Sequence, residues 1–168
     1  ATADAPVAPP SLPDLQLPAV PYRAEARVAE GAATRWSPGT VTFEAFSAWI
    51  GLLMAGIGSG ETKYRYPSGG GLNPVRTYLV VRQGGVAGVP PGSYCYEPER
   101  HTLHAVGGQG VDAATAFGAD AARLAEAAFA VVFIAEMQAI EPLYQQASAT
   151  LVALEAGYMG QLLLAAQD

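Results

Sequence analysis

The sequence predicts an α+β protein, with one mixed β-sheet flanked by helices and a long apolar helix near its C-terminal end. Of the 168 residues, 51% are hydrophobic, which suits a single core at about 100–200 residues per domain. Runs of β-branched and aromatic residues occupy the middle of the chain, and helix-like segments precede and follow them. We therefore expect one compact unit in which a sheet packs against helices.

The charge and cysteine content of the chain bear on its partners and on its cellular compartment. The net charge of −6 and the nine scattered Lys and Arg residues disfavour nucleic acid, whose phosphates need clustered cations. Cys95 is the single cysteine and cannot form an internal disulfide, which fits a reducing compartment, so we expect a cytoplasmic protein. No basic segment followed by an apolar run opens the chain, and the initial Ala1 favours a piece excised from a longer protein.

The N-terminal segment 1–21 is rich in Pro and Ala, a composition that disfavours helix and favours extended backbone. We interpret it as a linker or wrapping arm, with a disordered tail as the alternative, and assign residues 22–168 to the folded domain. Helix is predicted over 42–55, ending at the glycines that begin at 56. Thr42 can cap this helix, and apolar side chains recur at spacings of three and four, namely Phe43, Phe46, Ile50 and Leu53.

Three strands and a further helical region follow. Residues 77–82 predict one strand, and residues 92–106 predict two more that form a hairpin about the turn at 97–100. The segment 112–130 has a helical pattern in two pieces. The apolar run 130–137 has the length of a strand and suits a sheet that is covered on both faces.

The final predicted helix, 148–166, is apolar around nearly its whole circumference, which indicates burial in a core, an oligomer interface or a membrane. Glu155, Gln161 and two glycines interrupt it, and a carboxylate at the bilayer centre costs about 2.5 kcal/mol or more. We therefore favour a buried or intersubunit helix and expect no membrane span. Glu155 and Gln161 fall about 120° apart on a helix, and we expect a polar group there to tie a subunit interface together rather than to react.

The stretch KYRYPSGGGLNP, residues 63–74, combines cations, tyrosines and three consecutive glycines. Three glycines in a row give up side-chain packing, so either a ligand approaches the backbone closely or the chain turns sharply there. By contrast, His101 and His104 lie three apart in a predicted strand, where they face opposite sides and form no metal site with the distant cysteine. The glycine-rich stretch is therefore the predicted functional site.

Extended to KYRYPSGGGLNPVRTYLVV (63–81), this stretch resembles the segment beside the isoalloxazine ring in the flavin-dependent nitroreductase superfamily, specifically its SagB-like branch. That branch contains azoline dehydrogenases and the oxidase domains of nonribosomal peptide synthetases. The segments AAFAVVFIAEMQAIEPLY (127–144) and LEAGYMGQLLLAA (154–166) are similar to those oxidase domains. Together the matches cover about residues 36–166.

The resemblance implies a nitroreductase-like homodimer that binds FMN between its subunits, with the long helix at the interface. It implies oxidation of a thiazoline or oxazoline on a peptidyl carrier protein to the azole, with neighbouring synthetase domains as partners and oxygen reoxidising the flavin. Lys63 and Tyr64 match the catalytic pair of this family. The flat ring would lie against the bare backbone of Gly69, Gly70 and Gly71, with Ser68 bonding its polar edge and Pro67 in the same cofactor-binding segment.

Two departures from the family pattern open an alternative. Where family members carry Arg, Ser and Arg ahead of an aromatic residue, this chain has Glu30, Ala32 and Thr34, and Arg35 is the remaining candidate for the FMN phosphate. Family domains also continue past the long helix, whereas this chain stops at Asp168, so we expect truncation or a lost flavin site. The alternative is a degenerate, flavin-free module that serves as a structural or docking partner in a biosynthetic assembly.

Overall fold

The structure is a computed structural model that describes residues 14–18, 39–58, 61–106 and 126–166. Most of the helical segment predicted over 112–130 and most of the arm predicted over 1–21 lie outside these described residues. The last two residues of that segment, Phe129 and Ala130, are described and belong to a strand rather than to a helix. Within the described residues the strands are β1 (Leu15–Gln16), β2 (Gly56–Gly58), β3 (Glu61–Lys63), β4 (Val75–Val81), β5 (Gly92–Glu97), β6 (Thr102–Ala105) and β7 (Phe129–Ala135). The α-helices of the described part are α1 (Phe43–Ile50), α2 (Met137–Tyr144) and α3 (Ser148–Leu164).

Five of the described strands form one antiparallel sheet in the order β1-β6-β5-β4-β7. The predicted hairpin is confirmed, because β5 pairs with β6 and residues 98–101 form the turn between them. The α+β class is confirmed as well, but the sheet is antiparallel rather than mixed. The physical reason is that β4, β5 and β6 are joined by short connections, which reverse the chain direction. A parallel contact occurs at the isolated bridge between Val41 and Val86.

The first predicted helix is confirmed, with a shorter α-helical part. Thr42 caps α1 by accepting a hydrogen bond from the Ala45 N–H at 3.2 Å, and the chain continues as a 3-10 turn over Gly51–Leu53. The glycines that follow were predicted to end the helix, and they also form β2, which pairs with β3 as a two-stranded sheet. Sequence analysis missed this hairpin because glycine disfavours strands.

The core lies between one face of the five-stranded sheet and two helices. Alternate residues of β4 are buried, including Val75, Leu79 and Val81, as expected for a strand with one face on the core. Phe46 of α1 and Met159 of α3 pack into the same cluster. Trp49 ties the two helices together by donating its Nε1–H to the Leu163 carbonyl at 2.8 Å.

The C-terminal helix predicted over 148–166 is confirmed as α3. By length and composition, Met137–Leu164 is the one stretch among the described residues that could cross a membrane, a test that core helices of soluble proteins also pass. It is not a continuous helix, since Pro142 lies inside α2 and Gln145 breaks the backbone with a φ of 45°. Glu155, within the same stretch, is buried inside the chain.

Candidate functional site

The glycine-rich segment forms a tight loop between β3 and β4, at the end of the sheet where β4 begins. The Gly71 N–H donates to the Ser68 carbonyl at 3.2 Å, and the Asn73 N–H donates to Ser68 Oγ at 2.8 Å. Asn73 Nδ2 donates to the Gly71 carbonyl at 2.9 Å. These bonds close residues 68–73 on themselves, and we call this segment the glycine loop.

The structure gives two reasons for the glycines: a sharp turn, which was one of the two predicted alternatives, and packing against α2 and α3, which was not predicted. Gly70 and Gly71 adopt φ values of 62° and 69°, which side chains strongly disfavour. A Cβ on Gly70 would lie 2.6 Å from Tyr144 Oη, and a Cβ on Gly69 would lie 3.2 Å from Leu151 Cδ1. Gly71 has nothing within 4 Å in the direction of a Cβ. Two of the three glycines therefore make room for α2 and α3, and their contact with a flat ring stays a prediction.

The predicted catalytic pair lies just before the loop. Lys63 ends β3 with its side chain exposed, and Tyr64 is half-buried against the core. This difference fits adjacent residues in extended backbone, which point to opposite sides. Pro67 is exposed and Ser68 is half-buried in the loop that follows. Of these residues, the structure places Tyr64 beside Asn73 at a common cavity. The roles of all four in catalysis and flavin binding stay predictions.

Tyr64 and Tyr66 form a tilted pair whose ring centroids are 5.3 Å apart. Burial raises the pKa of Tyr64, and the negative charge of Glu99 raises it further. Burial likewise raises the pKa of Tyr66, and the cation of Arg76 opposes the shift at both tyrosines. A base at Tyr64 would need a lowered pKa, so this chain favours Tyr64 as a hydrogen-bond donor.

A small polar cavity of about 10 Å³ lies beside the tyrosines, lined by Tyr64, Tyr66, Asn73 and Tyr96 among others. This volume suits about one water molecule. Asn73 Oδ1 is buried and finds no hydrogen-bond partner among the described residues. A buried carbonyl oxygen normally has a donor, so a water at this position would complete the network.

Sequence analysis assigned Glu155 to a subunit interface, and the structure corrects this. Glu155 is 1% exposed within a single chain, and its Oε1 accepts a hydrogen bond from the Val75 N–H at 3.2 Å. It faces the end of the glycine loop rather than a second molecule. The signal that could have located it was a lone carboxylate in an otherwise apolar helix, which needs a polar partner inside the fold.

Arg76 and Glu136 form a double contact next to the loop, with Arg76 Nε 3.1 Å from Oε1 and Nη2 3.2 Å from Oε2. Both side chains are about half exposed, at 48%. An open cleft of about 630 Å³ adjoins the pair and is lined by residues 135–139 at the end of β7. Because Val75 pairs with Ala135, the cleft and the glycine loop lie at the same end of the sheet.

Neither histidine lines the cavity, and the two have different surroundings. His101 was predicted within a strand, but it occupies the turn before β6 with a φ of 53° and is buried. His104 lies in β6, with Nε2 2.7 Å from Glu97 and Nδ1 3.0 Å from Asp14. The prediction that both histidines lie in one strand was wrong. A residue with a left-handed backbone conformation carries no local sequence signal unless it is glycine or asparagine.

The described residues fit the ring of FMN better than its phosphate. The exposed main chain at Gly70 and Gly71 could support a flat ring, and the cavity beneath is too small for one, so a ring would lie on the outer surface of the loop. Asn73 Oδ1 and Glu155 Oε2 are buried oxygens without described partners at the same loop. Arg35, the candidate for the phosphate, lies outside the described residues.

Three solved structures share this fold. A putative nitroreductase from Ralstonia eutropha aligns with a TM-score of 0.68 and 17% identity, covering 96% of this chain and 76% of that chain. A chain of the E. coli microcin synthetase McbBCD complex, solved with truncated pro-MccB17 bound, aligns with a TM-score of 0.65 and 20% identity, covering 78% and 52%. A putative nitroreductase from Anabaena variabilis aligns with a TM-score of 0.61 and 21% identity, covering 79% and 28%. No family model and no curated protein matches the sequence.

The three alignments show that this chain has a nitroreductase-like fold. The resemblance that the glycine-rich segment predicted is therefore confirmed at the level of fold. Identities of 17% to 21% establish nothing finer. The chain also spans about half the length of the microcin synthetase chain, with 52% of it covered.

Proposed function

We propose that this chain is an FMN-dependent oxidase domain that dehydrogenates a carrier-bound thiazoline or oxazoline to the azole in peptide natural product biosynthesis. The observation that carries the proposal is the exposed main chain of Gly70 and Gly71 beside the Lys63 and Tyr64 pair, on a nitroreductase-like fold. The likeness to a microcin synthetase complex with pro-MccB17 bound supports a biosynthetic setting.

Aromatising an azoline ring removes a C–H proton and a hydride from the substrate. FMN, when bound, supplies the hydride acceptor, and oxygen then reoxidises it. We assign Tyr64 the role of a hydrogen-bond donor to the substrate, because its raised pKa keeps the phenol protonated. Lys63 is exposed beside it, and because an ammonium has no lone pair, its Nζ would accept the C–H proton only as the neutral amine, which requires that bound flavin and substrate cover this side chain.

A second copy of the chain is part of this proposal. α3 exposes large apolar side chains that one chain leaves in contact with water, namely Leu154 at 51%, Tyr158 at 48% and Leu164 at 55%. An apolar surface of this kind is typical of an interface. A homodimer through α3 would cover these residues, and the flavin would lie between the two subunits.

A second candidate function is a flavin-free module that supports or docks other parts of a biosynthetic assembly. Tyr144 and Leu151 fill the space beside Gly70 and Gly69, so packing alone explains two of the three glycines. The missing Arg and Ser residues of the phosphate motif favour the same alternative. Each lost charge-assisted hydrogen bond to the phosphate would cost about 1.5–3 kcal/mol of binding.

Absorbance separates the two candidates. The purified chain is scanned at about 450 nm, where bound flavin absorbs, before and after addition of FMN. The oxidase proposal expects a yellow protein or one that binds added FMN at micromolar concentration. A protein that stays colourless and binds no FMN at high micromolar concentration would leave the flavin-free module.

A further inference from the structure

Glu155 lies at a position where α3 contacts the glycine loop. It is 1% exposed, and its Oε1 accepts the N–H of Val75 at 3.2 Å across 80 residues of sequence. Its other oxygen, Oε2, is buried and has no hydrogen-bond partner among the described residues. Leu151, one helical turn earlier on α3, packs against Gly69 of the same loop.

A buried carboxyl group without a paired cation is costly in its charged form. Burial raises the pKa of Glu155, and the Ser68 hydroxyl and the Val75 N–H oppose this shift. No ion pair among the described residues includes Glu155. Two titratable groups lie close enough to interact with the charge of Glu155, namely Tyr64 and Tyr66, and this charge helps to raise the pKa of each. Among the described residues, Glu155 is thus held by hydrogen bonding rather than by an ion pair.

The loop is held at both ends by groups near this carboxyl. At its start, Ser68 Oγ accepts the Asn73 N–H at 2.8 Å and lies close enough to Glu155 to lower its pKa. At its end, Val75 is the first residue of β4 and donates its N–H to Glu155. A side chain that is bonded beyond one end of the loop and lies near the other can set the separation between them.

We propose that Glu155 is a positioning residue: it fixes the glycine loop against α3 by holding the Val75 N–H, and thereby shapes the surface on which the flavin ring would lie. The flavin part of this inference rests on the proposed function, whereas the fixing of the loop does not. Glu155 touches neither ring nor substrate in this assignment and acts through the loop backbone.

The test uses the full chain and three variants. Glu155→Gln keeps an acceptor oxygen at the same reach, and Glu155→Asp withdraws the carboxyl by one methylene. Ser148→Ala is the matched control, because Ser148 lies on the same helix, is buried, and has no described partner for its hydroxyl. Amide hydrogen exchange by NMR reports the Val75 N–H, and titration with FMN reports the affinity for flavin.

In Glu155→Asp, the Val75 N–H is expected to exchange about tenfold faster, and FMN is expected to bind about tenfold more weakly. Each change corresponds to the loss of roughly one hydrogen bond. Glu155→Gln and Ser148→Ala should stay close to the wild type in both readouts. Equal exchange at Val75 in Glu155→Asp and the wild type would overturn the inference, as would loss of protection in Glu155→Gln.

If Glu155→Asp does not fold, a pH titration of the wild type tests the inference instead. The Val75 amide resonance should move with pH at the same midpoint as the Glu155 Cδ resonance, because the proton changes the acceptor of this bond. A Val75 resonance that stays constant through that titration would overturn the inference. If the wild type binds no FMN, the proposed function fails, and exchange and titration still decide the role of Glu155.

Discussion

Tyr96 Oη lies 2.7 Å from Nδ1 of His101, and Nε2 of the same ring lies 2.9 Å from Ser47 Oγ. Ser47 donates its own hydrogen to the Pro18 carbonyl at 2.8 Å, so it accepts from His101. His101 therefore carries its proton on Nε2, and Nδ1 accepts from Tyr96. The neutral ring joins β5, α1 and the N-terminal segment in one buried chain of hydrogen bonds.

This network predicts that stability falls as the pH falls. The pKa of His101 is lowered by burial, which the Pro18 carbonyl partly offsets, and the groups that contact the ring are uncharged. Because the folded pKa lies below the unfolded value of 6.5, the unfolded chain binds more protons at acid pH. The stabilisation is thus present above pH 6.5 and is lost toward the folded pKa. Urea unfolding between about pH 7.5 and 5 measures this, and His101→Gln should flatten the dependence.

The pKa of His104 is shifted in the opposite direction, so this residue serves as a control. Its pKa is raised, first by the hydrogen bond that it donates to Glu97 and also by Asp14. It therefore stabilises the fold at low pH, and this contribution is lost as the pH rises through the folded pKa. His104 is partly exposed, so the effect is small. His104→Gln should make the loss of stability at low pH slightly steeper, and a flatter curve would contradict this assignment.

Gly70→Ala should destabilise the chain more than Gly71→Ala. Both positions have positive φ, which costs about 1–2 kcal/mol for alanine. At Gly70 the new Cβ would also meet Tyr144 Oη at 2.6 Å, and such overpacking adds about 1–3 kcal/mol. Urea unfolding measures the difference.

The matched control for this clash is Tyr144→Phe, which removes the hydroxyl and leaves ring carbons 3.5 Å from the new Cβ. In that background Gly70→Ala should cost about as much as Gly71→Ala does, since the strain of positive φ is what remains. If Gly70→Ala lowers the free energy of unfolding equally with and without Tyr144→Phe, the described contact between α2 and the glycine loop is wrong.

Lys63→Ala and Tyr64→Phe should separate the two roles assigned to the catalytic pair. Lys63→Ala removes the proton acceptor and should abolish turnover of an azoline substrate while sparing flavin binding. Tyr64→Phe removes a hydrogen-bond donor, so turnover should fall about 10²-fold or more. Tyr78→Phe, on the same side of the sheet as Arg76, is the control that should retain activity. Unchanged rates in both pair variants would remove their assigned roles.

Leu154→Glu should convert the expected dimer to a monomer in light scattering after gel filtration. Leu154 is exposed on α3, and a buried charge without a partner at an interface is costly. Val106→Glu is the control, because Val106 is also an exposed apolar residue but lies after β6. A wild-type chain that is monomeric at high micromolar concentration would contradict the proposed dimer.

Local patterns predicted those elements whose structure depends on neighbours in sequence. α1 follows from Thr42 and the spacing of apolar residues, and β5 and β6 follow from two strand-like runs about a short turn. The glycine loop was found as a site because three glycines in a row are rare without a reason. β2 was missed because its glycines carry no strand propensity, and β3 was missed because its Glu and Lys residues are also depleted in strands.

By itself, the sequence determined the α+β class, the order of α1, β4 to β7 and α3, and the location of the glycine loop, because these depend on hydrophobic period and backbone preference. The tertiary structure decided what surrounds that loop. Tyr144 beside Gly70, Glu155 beneath Val75 and the buried ring of His101 all join residues that are far apart along the chain. Such contacts arise only when helices pack on the sheet, and no local pattern encodes them.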